Sequence, residues 1–311
     1  MNQTKNNIKT QVRPINGLLL IDKPKGITSN AALQHIKRLF HAKKAGHTGS
    51  LDPLADGMLP ICFGEATKFS QYLLNADKIY LVKAKLGVRT VTGDSEGEIV
   101  EQKTVPELTR RQIEKYLSPF RGTIDQIPSM YSALKYNGRP LYELARQGID
   151  VPRASRRISI HELSVLDWKD SILELFVHCS KGTYVRTLVD DLGQAIGCGA
   201  HVIALRRLSV GGFEESGMLS IPRLEKEYDK NNLAAIDRYI LPVESMVSCL
   251  PAIKLSKTTA YYLRNGHAVM VPNAPTQGFV RLRENEHDFI GIGEVLSDGK
   301  IAPRRLVKNQ L

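Results

Sequence analysis

Paired cysteines are missing from this 311-residue chain: Cys62, Cys179, Cys198 and Cys249 stand far apart with no C-x-x-C spacing. That pattern excludes a zinc ribbon and a disulfide framework and suits a reduced cytoplasm. Long apolar runs are missing too. The longest uncharged one near the start, Gly17 to Ile21, is too short for a membrane span or a signal-peptide core, so a soluble, unexported protein is expected. The glycines at 46, 49 and 57 match neither G-x-G-x-x-G nor G-x-x-x-x-G-K-[ST], which argues against a nucleotide-binding loop. No repeat, coiled-coil pattern or long apolar helix face stands out, and a monomer is expected. Acidic residues are the minority: 43 Lys and Arg face 32 Asp and Glu, a net charge of +11. The sequence pI is about 9.4. Such a balance points to a polyanionic partner, either nucleic acid or an acidic membrane surface.

What is present can build a core, since 42% of residues are hydrophobic and the length suffices for one large domain plus a small one. Residues 1–14 carry Lys5, Lys9 and Arg13 without an acid and read as a disordered basic arm, with order starting near Ile15. Leu18 to Ile21, ended by Asp22-Lys23-Pro24-Lys25-Gly26, predicts a strand and a turn. A helix should follow, capped by Ser29, with Leu33, Ile36 and Phe40 on one face. From Lys78 to Leu86 the pattern alternates, placing Tyr80 with Val82, Ala84 and Leu86 on the less polar face of a strand. Ile172 to Cys179 reads as a further strand. Val185, Leu188, Val189, Leu192 and Ile196 then mark an amphipathic helix with Arg186 in its first turn. Residues 251–311 change to short alternating segments between Pro, Asn, Asp and Gly clusters, a small β-rich module. The outline is a large α+β domain over 15–250 and a small β domain over 251–311.

Three segments could carry chemistry. Ala45 to Pro60 packs three glycines, two prolines, His47, Asp52 and Asp56 into sixteen positions, as a rigid loop presenting a carboxylate would; a surface turn with a capping aspartate has the same composition. A metal set of His47, Asp52 and Asp56 is conceivable by residue type but lacks a second histidine or cysteine nearby. Tyr131 to Arg157 sets Lys135, Arg139, Arg146, Arg153, Arg156 and Arg157 among Tyr131, Tyr136 and Tyr142. Cations for phosphates beside rings for bases suit an RNA-gripping insertion, while a solvated amphipathic helix would also contain them. Arg186 stands at a helix N-terminus, where the dipole favours negative charge, and this conflict hints at a carboxylate or phosphate partner.

In order along the chain, the strings GLLLIDKPKGITSN, AGHTGSLDPLADGMLPICFGEATKF, KIYLVKAKLG with TGDSEG after it, IPSMYSALKYNGRPLYELARQGIDVPR, CSKGTYVRTLVDDLG and CGAHVIALRRLSVG resemble the TruB family of pseudouridine synthases. The likeness covers about Ile15 to Gly212, and the last sixty residues look like the RNA-binding PUA module. The resemblance implies a mixed, largely antiparallel central sheet flanked by helices, with a thumb insertion at about 128–157 over the RNA. It implies conversion of uridine 55 in the T loop of tRNA to pseudouridine without cofactor or metal, and without an obligate protein partner. Carried over residue by residue, Asp52 is the catalytic aspartate, Tyr80 stacks on the target base and Arg186 pairs with the aspartate. His47, Tyr184 and the main chain around Leu205 line the RNA pocket, and Lys23 and Asp94 support it. Ser50 and Asp56 depart from the commoner small or hydroxyl residues, and the N-terminal arm is longer than the family leads one to expect.

The chemistry asks for such a set. The bond from ribose C1′ to N1 must break and C1′ must join C5, with no redox change. A carboxylate can add to C1′, add to uracil C6 or assist an unsaturated sugar intermediate. Two other functions share these features: an RNA-binding or tRNA-folding protein without catalysis, and a synthase acting on other RNAs.

Overall fold

A computed structural model describes residues 12–285 and 288–308. Most of the expected basic arm, residues 1–11, lies outside them. Its end is not loose: Arg13 donates from both terminal nitrogens to Asp237, at 2.6 and 2.9 Å, and to the Phe40 carbonyl. Order therefore starts before Ile15, because this guanidinium finds a carboxylate 224 residues away.

The larger sheet has nine strands: β1 (Gly17–Lys23), β2 (Ala45–His47), β3 (Asp56–Phe63), β4 (Lys78–Leu86), β5 (Gly122–Gln126), β6 (Arg156–Lys169), β7 (Ile172–Cys179), β8 (Ala200–Val210) and β9 (Leu219–Ser220). Their order is β9-β1-β3-β8-β4-β7-β6-β5, with β2 on β3; only β1/β9 and β3/β8 run parallel. The sheet is thus mixed and largely antiparallel, with helices against it.

The apolar run in β1 is a strand buried on both faces. Leu19 and Ile21 pack with Ala32, Leu33 and Ile36 of helix α1 (Ser29–Leu39) and with Phe40 at its C-cap, while Leu18 and Leu20 pack with Phe69, Leu73, Met246 and Val247. Strand β4 instead alternates, with Tyr80, Val82, Ala84 and Leu86 buried in the third cluster beneath helix α2 (Val185–Ile196).

Helix α1 is capped by Thr28, not Ser29. Thr28 has extended φ and ψ of −73° and 155° and accepts from the Ala31 amide, satisfying one of the donors a helix start leaves open. Ser29 is the first helical residue, and its buried hydroxyl exchanges two hydrogen bonds with the Leu51 main chain, at 2.7 and 3.0 Å.

The smaller sheet, β10 (Ala252–Lys254), β11 (Gly278–Arg283), β12 (Phe289–Val295) and β13 (Ile301–Leu306), covers its own cluster with helix α3 (Lys257–Arg264). Apolar contact continues past it into the large sheet: Ile292 joins the cluster of Leu18, Leu20 and Met58, and the Phe289 ring lies 5.7 Å from that of Phe69. Glu244 accepts from Arg281 and Arg283 at 2.9 and 2.7 Å across the same seam. No described helix is long and apolar enough to cross a membrane.

Candidate active site

The segment from Ala45 to Pro60 is less loop than its composition suggests, since strands β2 and β3 occupy both ends and only residues 48–55 connect them. Pro60 sits inside β3 because its carbonyl, and hence its nitrogen on the same side of the strand, faces Thr48; no ladder donor toward β1 is lost. Gly57 is required by close approach. Its φ is +99°, and a Cβ there would lie 2.3 Å from the Arg207 carbonyl of β8. The connecting loop is pinned by the Ser29–Leu51 exchange and by Gly26 donating to the Pro53 carbonyl at 2.8 Å. Asp52 therefore hangs from a rigid support.

Arg186 answers it from the first turn of α2. Its Nε lies 2.9 Å from Asp52 Oδ2. Its Nη1 donates to Asp94 Oδ2 at 3.2 Å and to the Thr92 carbonyl at 2.8 Å, and Nη2 to the Tyr131 carbonyl at 2.7 Å. The contact with Asp52 is single, not the two-pronged fork that an arginine allows, because the other nitrogens serve Asp94, Thr92 and Tyr131. The Arg186 and Asp94 side chains are 8% and 4% exposed, whereas that of Asp52 is 42% exposed. The carboxylate is held at its root and open at its tip.

That tip faces a cavity of about 400 Å³, shared with Tyr80, Lys78, Tyr184, Leu205 and Arg207. Tyr80 reaches it through strand register, opposite Val177 of β7 and Arg207 of β8, on the face that also buries Val82. Tyr184 is fixed by Gln126, which donates to its carbonyl at 3.1 Å and accepts from its amide at 2.8 Å. The basic insertion encloses the cavity from another side. It carries a small core of Met130, Leu141 and Leu144 under a hairpin and a short helix, not a single solvated helix.

Charge is unevenly buried here. Burial drives the Asp52 pKa up from its ordinary value and the Asp94 charge adds to it; the charges of Arg186 and Lys23 oppose them, with the net direction upward. Lys23 is fully buried, donates to the carbonyls of Pro24 and Ile27, and burial lowers it to about 8 against the pull of Asp56 and Asp52. Burial also raises Tyr80 and Tyr184.

Of the residues singled out in the sequence, Asp52, Tyr80, Arg186, Tyr184 and Leu205 converge on the cavity, and Asp94 and Lys23 stand behind it. His47 does not line it; it is half-buried on β2 with Nδ1 unpartnered, and burial and the Arg207 charge lower its pKa. The metal set of His47, Asp52 and Asp56 does not assemble, since Asp52 turns to Arg186 and Asp56 to Arg206 at 3.1 Å. Arg207 was missed. It is 1% exposed, and its guanidinium donates to the carbonyls of Met58, Gly49 and Ser50, clamping the Asp52 loop from the cavity floor. Period-two alternation from Leu205 would have assigned it to the Tyr80 side of the sheet. Lys78, which gives its ammonium to the carbonyls of Leu73, Leu74 and Ala76, was missed likewise.

A rigidly hung carboxylate, an arginine behind it and an aromatic wall in a basic cleft define an enzyme site suited to one base of a polyanion. Residues 37–185 match the TruB family pseudouridylate synthase N-terminal domain. Residues 186–248 match the tRNA pseudouridylate synthase B C-terminal domain, and 251–307 the C-terminal region of pseudouridine synthase II TruB. A tRNA pseudouridine synthase B of Coxiella burnetii (strain Dugway 5J108-111) is 64% identical over 98% of this chain and 99% of its own. Those of Nitrosococcus oceani and Shigella boydii serotype 4 are each 52% identical, over 96% and 95% of this chain and 97% and 96% of theirs. Among solved structures, a Cbf5-Nop10-Gar1 complex contains a chain with a TM-score of 0.73 at 23% identity, covering 97% of this chain and 91% of that one. An H/ACA RNP bound to a substrate RNA containing 2′-deoxyuridine gives 0.72 at 21%, covering 97% and 93%; at these identities the likeness is one of fold. The chain belongs to the TruB family of pseudouridine synthases.

Proposed function

We propose that the protein isomerises uridine 55 in the T loop of tRNA to pseudouridine, with Asp52 as the catalytic carboxylate and no cofactor. The observation that carries this reading is the Arg186–Asp52 contact at 2.9 Å, made by a buried arginine to an aspartate whose tip opens into the cavity beside Tyr80. Uridine and pseudouridine are isomers, so no external group is consumed. The target base must leave its stack, and the Tyr80 ring returns about 1 to 3 kcal/mol by stacking. Asp52 has to act as an anion, and the fixed Arg186 charge opposes, without cancelling, the burial that would neutralise it. Attack at C1′, addition to C6 and an unsaturated sugar intermediate all use the carboxylate in this position.

In this reading Tyr184 and the main chain around Leu205 seat the base, His47 acts outside the cavity against neighbouring bases, and Lys23 and Asp94 keep the catalytic pair in place. The insertion at 128–157 grips the T arm within a catalytic domain of 15–250, and residues 251–311 add a second contact to tRNA. The protein works alone, as a cytoplasmic monomer. The test is carbodiimide or mass-spectrometric mapping of a T-arm stem-loop after incubation with purified protein. One pseudouridine at the T-loop position is expected. Bound but unmodified RNA would favour a tRNA-folding protein, and modification only of other RNAs would reassign the substrate.

A further inference from the structure

The other face of the catalytic strands carries a second cluster of donor atoms. Asp77, directly before β4, His161 of β6 and His178 of β7 each offer one ligand atom, all within 4.8 Å of one another. His161 Nε2 lies 3.2 Å from Asp77 Oδ2, and the two imidazole rings are 4.8 Å apart. Strand register fixes which face this is. Val177 pairs with Tyr80, so its neighbour His178, paired with Ile79, points away from the cavity, and Asp77 does so relative to Lys78.

His161 joins them by a break in the ladder. Ile160 opposes Cys179 and Glu162 opposes His178, leaving His161 as the extra residue of a β-bulge. Its burial departs from alternation accordingly: Ile160 and Leu163 are buried while His161 and Glu162 both face outward. A bulge re-aims one side chain at the cost of a ladder bond, and here the re-aimed group is an imidazole set beside another imidazole and a carboxylate.

We propose that Asp77, His161 and His178 bind a divalent transition ion such as Zn²⁺. Two neutral imidazoles and one carboxylate are the donor set such ions take. Three protein ligands leave a fourth position to water, and the exposed face supplies it. An ion there would tie the start of β4 to β6 and β7, the strands behind Tyr80 and Lys78, without entering the cavity. Its role is that of a staple behind the catalytic face.

The test is calorimetric titration of the full chain with Zn²⁺ at neutral pH in a Cys249→Ser background, because that thiol is exposed and competes for zinc. Co²⁺ absorption serves as a second probe. One saturable equivalent is expected, weakened at least about tenfold in His161→Ala and again in His178→Ala, since loss of a ligand exceeds the effect of losing a supporting contact. Each variant should keep the wild-type Tm in chelator and lose the rise in Tm that Zn²⁺ gives the parent. Absence of saturable binding in the parent would overturn the proposal, as would binding that survives both substitutions unchanged.

Discussion

Arg186→Lys tests the core of the site because it keeps the charge and removes only the fork. The guanidinium serves four acceptors through three nitrogens: Asp52, Asp94 and the carbonyls of Thr92 and Tyr131. An ammonium at the end of a lysine stem can satisfy one carboxylate and leaves the rest short. Losing the Nε contact to Asp52 removes about 1.5 to 3 kcal/mol of charge-assisted hydrogen bonding, a factor of about 10 to 150 in rate at 1.36 kcal/mol per tenfold. Loosening the carboxylate by an ångström adds up to about a hundredfold. A fall in kcat of about a thousandfold is expected, read by tritium release from 5-labelled uridine in a tRNA transcript. Stability should drop by about 3 kcal/mol, the low end for breaking a buried pair, since the charge remains. A kcat within tenfold of wild type in a folded variant would refute the reasoning.

Asp52→Asn should fold, bind tRNA and form no pseudouridine; turnover within tenfold of wild type would remove Asp52 from the chemistry. Because the folded-state pKa of Asp52 is raised, its stabilising contribution is present below the ordinary value of 3.8 and lost as pH rises through the folded value. The Asn variant should accordingly match or exceed the wild-type Tm at neutral pH, and a clear loss there would contradict the upward shift. The rate constant kcat/KM of the wild type should decline on acidification with an apparent pKa above 3.8, as the anion is lost through the raised value; a profile flat down to that pH would rule the assignment out. Ile292→Ala, at a fully buried position shared by the two sheets, should cost about 2 to 5 kcal/mol and lower the Tm of the whole chain in one transition. Two separate melts, with the larger unmoved, would show the sheets to be uncoupled.

Strand β4 was legible because it alternates, and its face assignment already placed Tyr80 inward. The pairing of Arg186 with Asp52 came through the family likeness; unaided, its position at a helix start suggested only some anion. The strands flanking the Asp52 loop were hidden by Gly57 and Pro60, which punctuate chains elsewhere but here answer a close approach and the side of β3 turned away from β1. Ser29 was misread as a cap because Thr28 and Ser29 are both competent, and only the Leu51 contact decides between them. Arg207 escaped because adjacent arginines look like surface charge. In a strand, however, neighbours point to opposite faces, so Arg206 meets Asp22 and Glu215 while Arg207 is sealed beneath the Asp52 loop.

Strand β1 is translated well before several of its partners. It pairs with β3 but also with Leu219 and Ser220, exchanges main-chain bonds with Leu241, and has one face covered by residues as distant as Ile292. Until those segments are synthesised, Leu18, Leu20 and one edge of the strand stay uncovered. Nascent chains halted before Leu219 therefore present an apolar strand with one open edge, the kind of surface that recruits holding chaperones or nucleates aggregation. The reach of β1 ties its shielding during translation to segments made long after it.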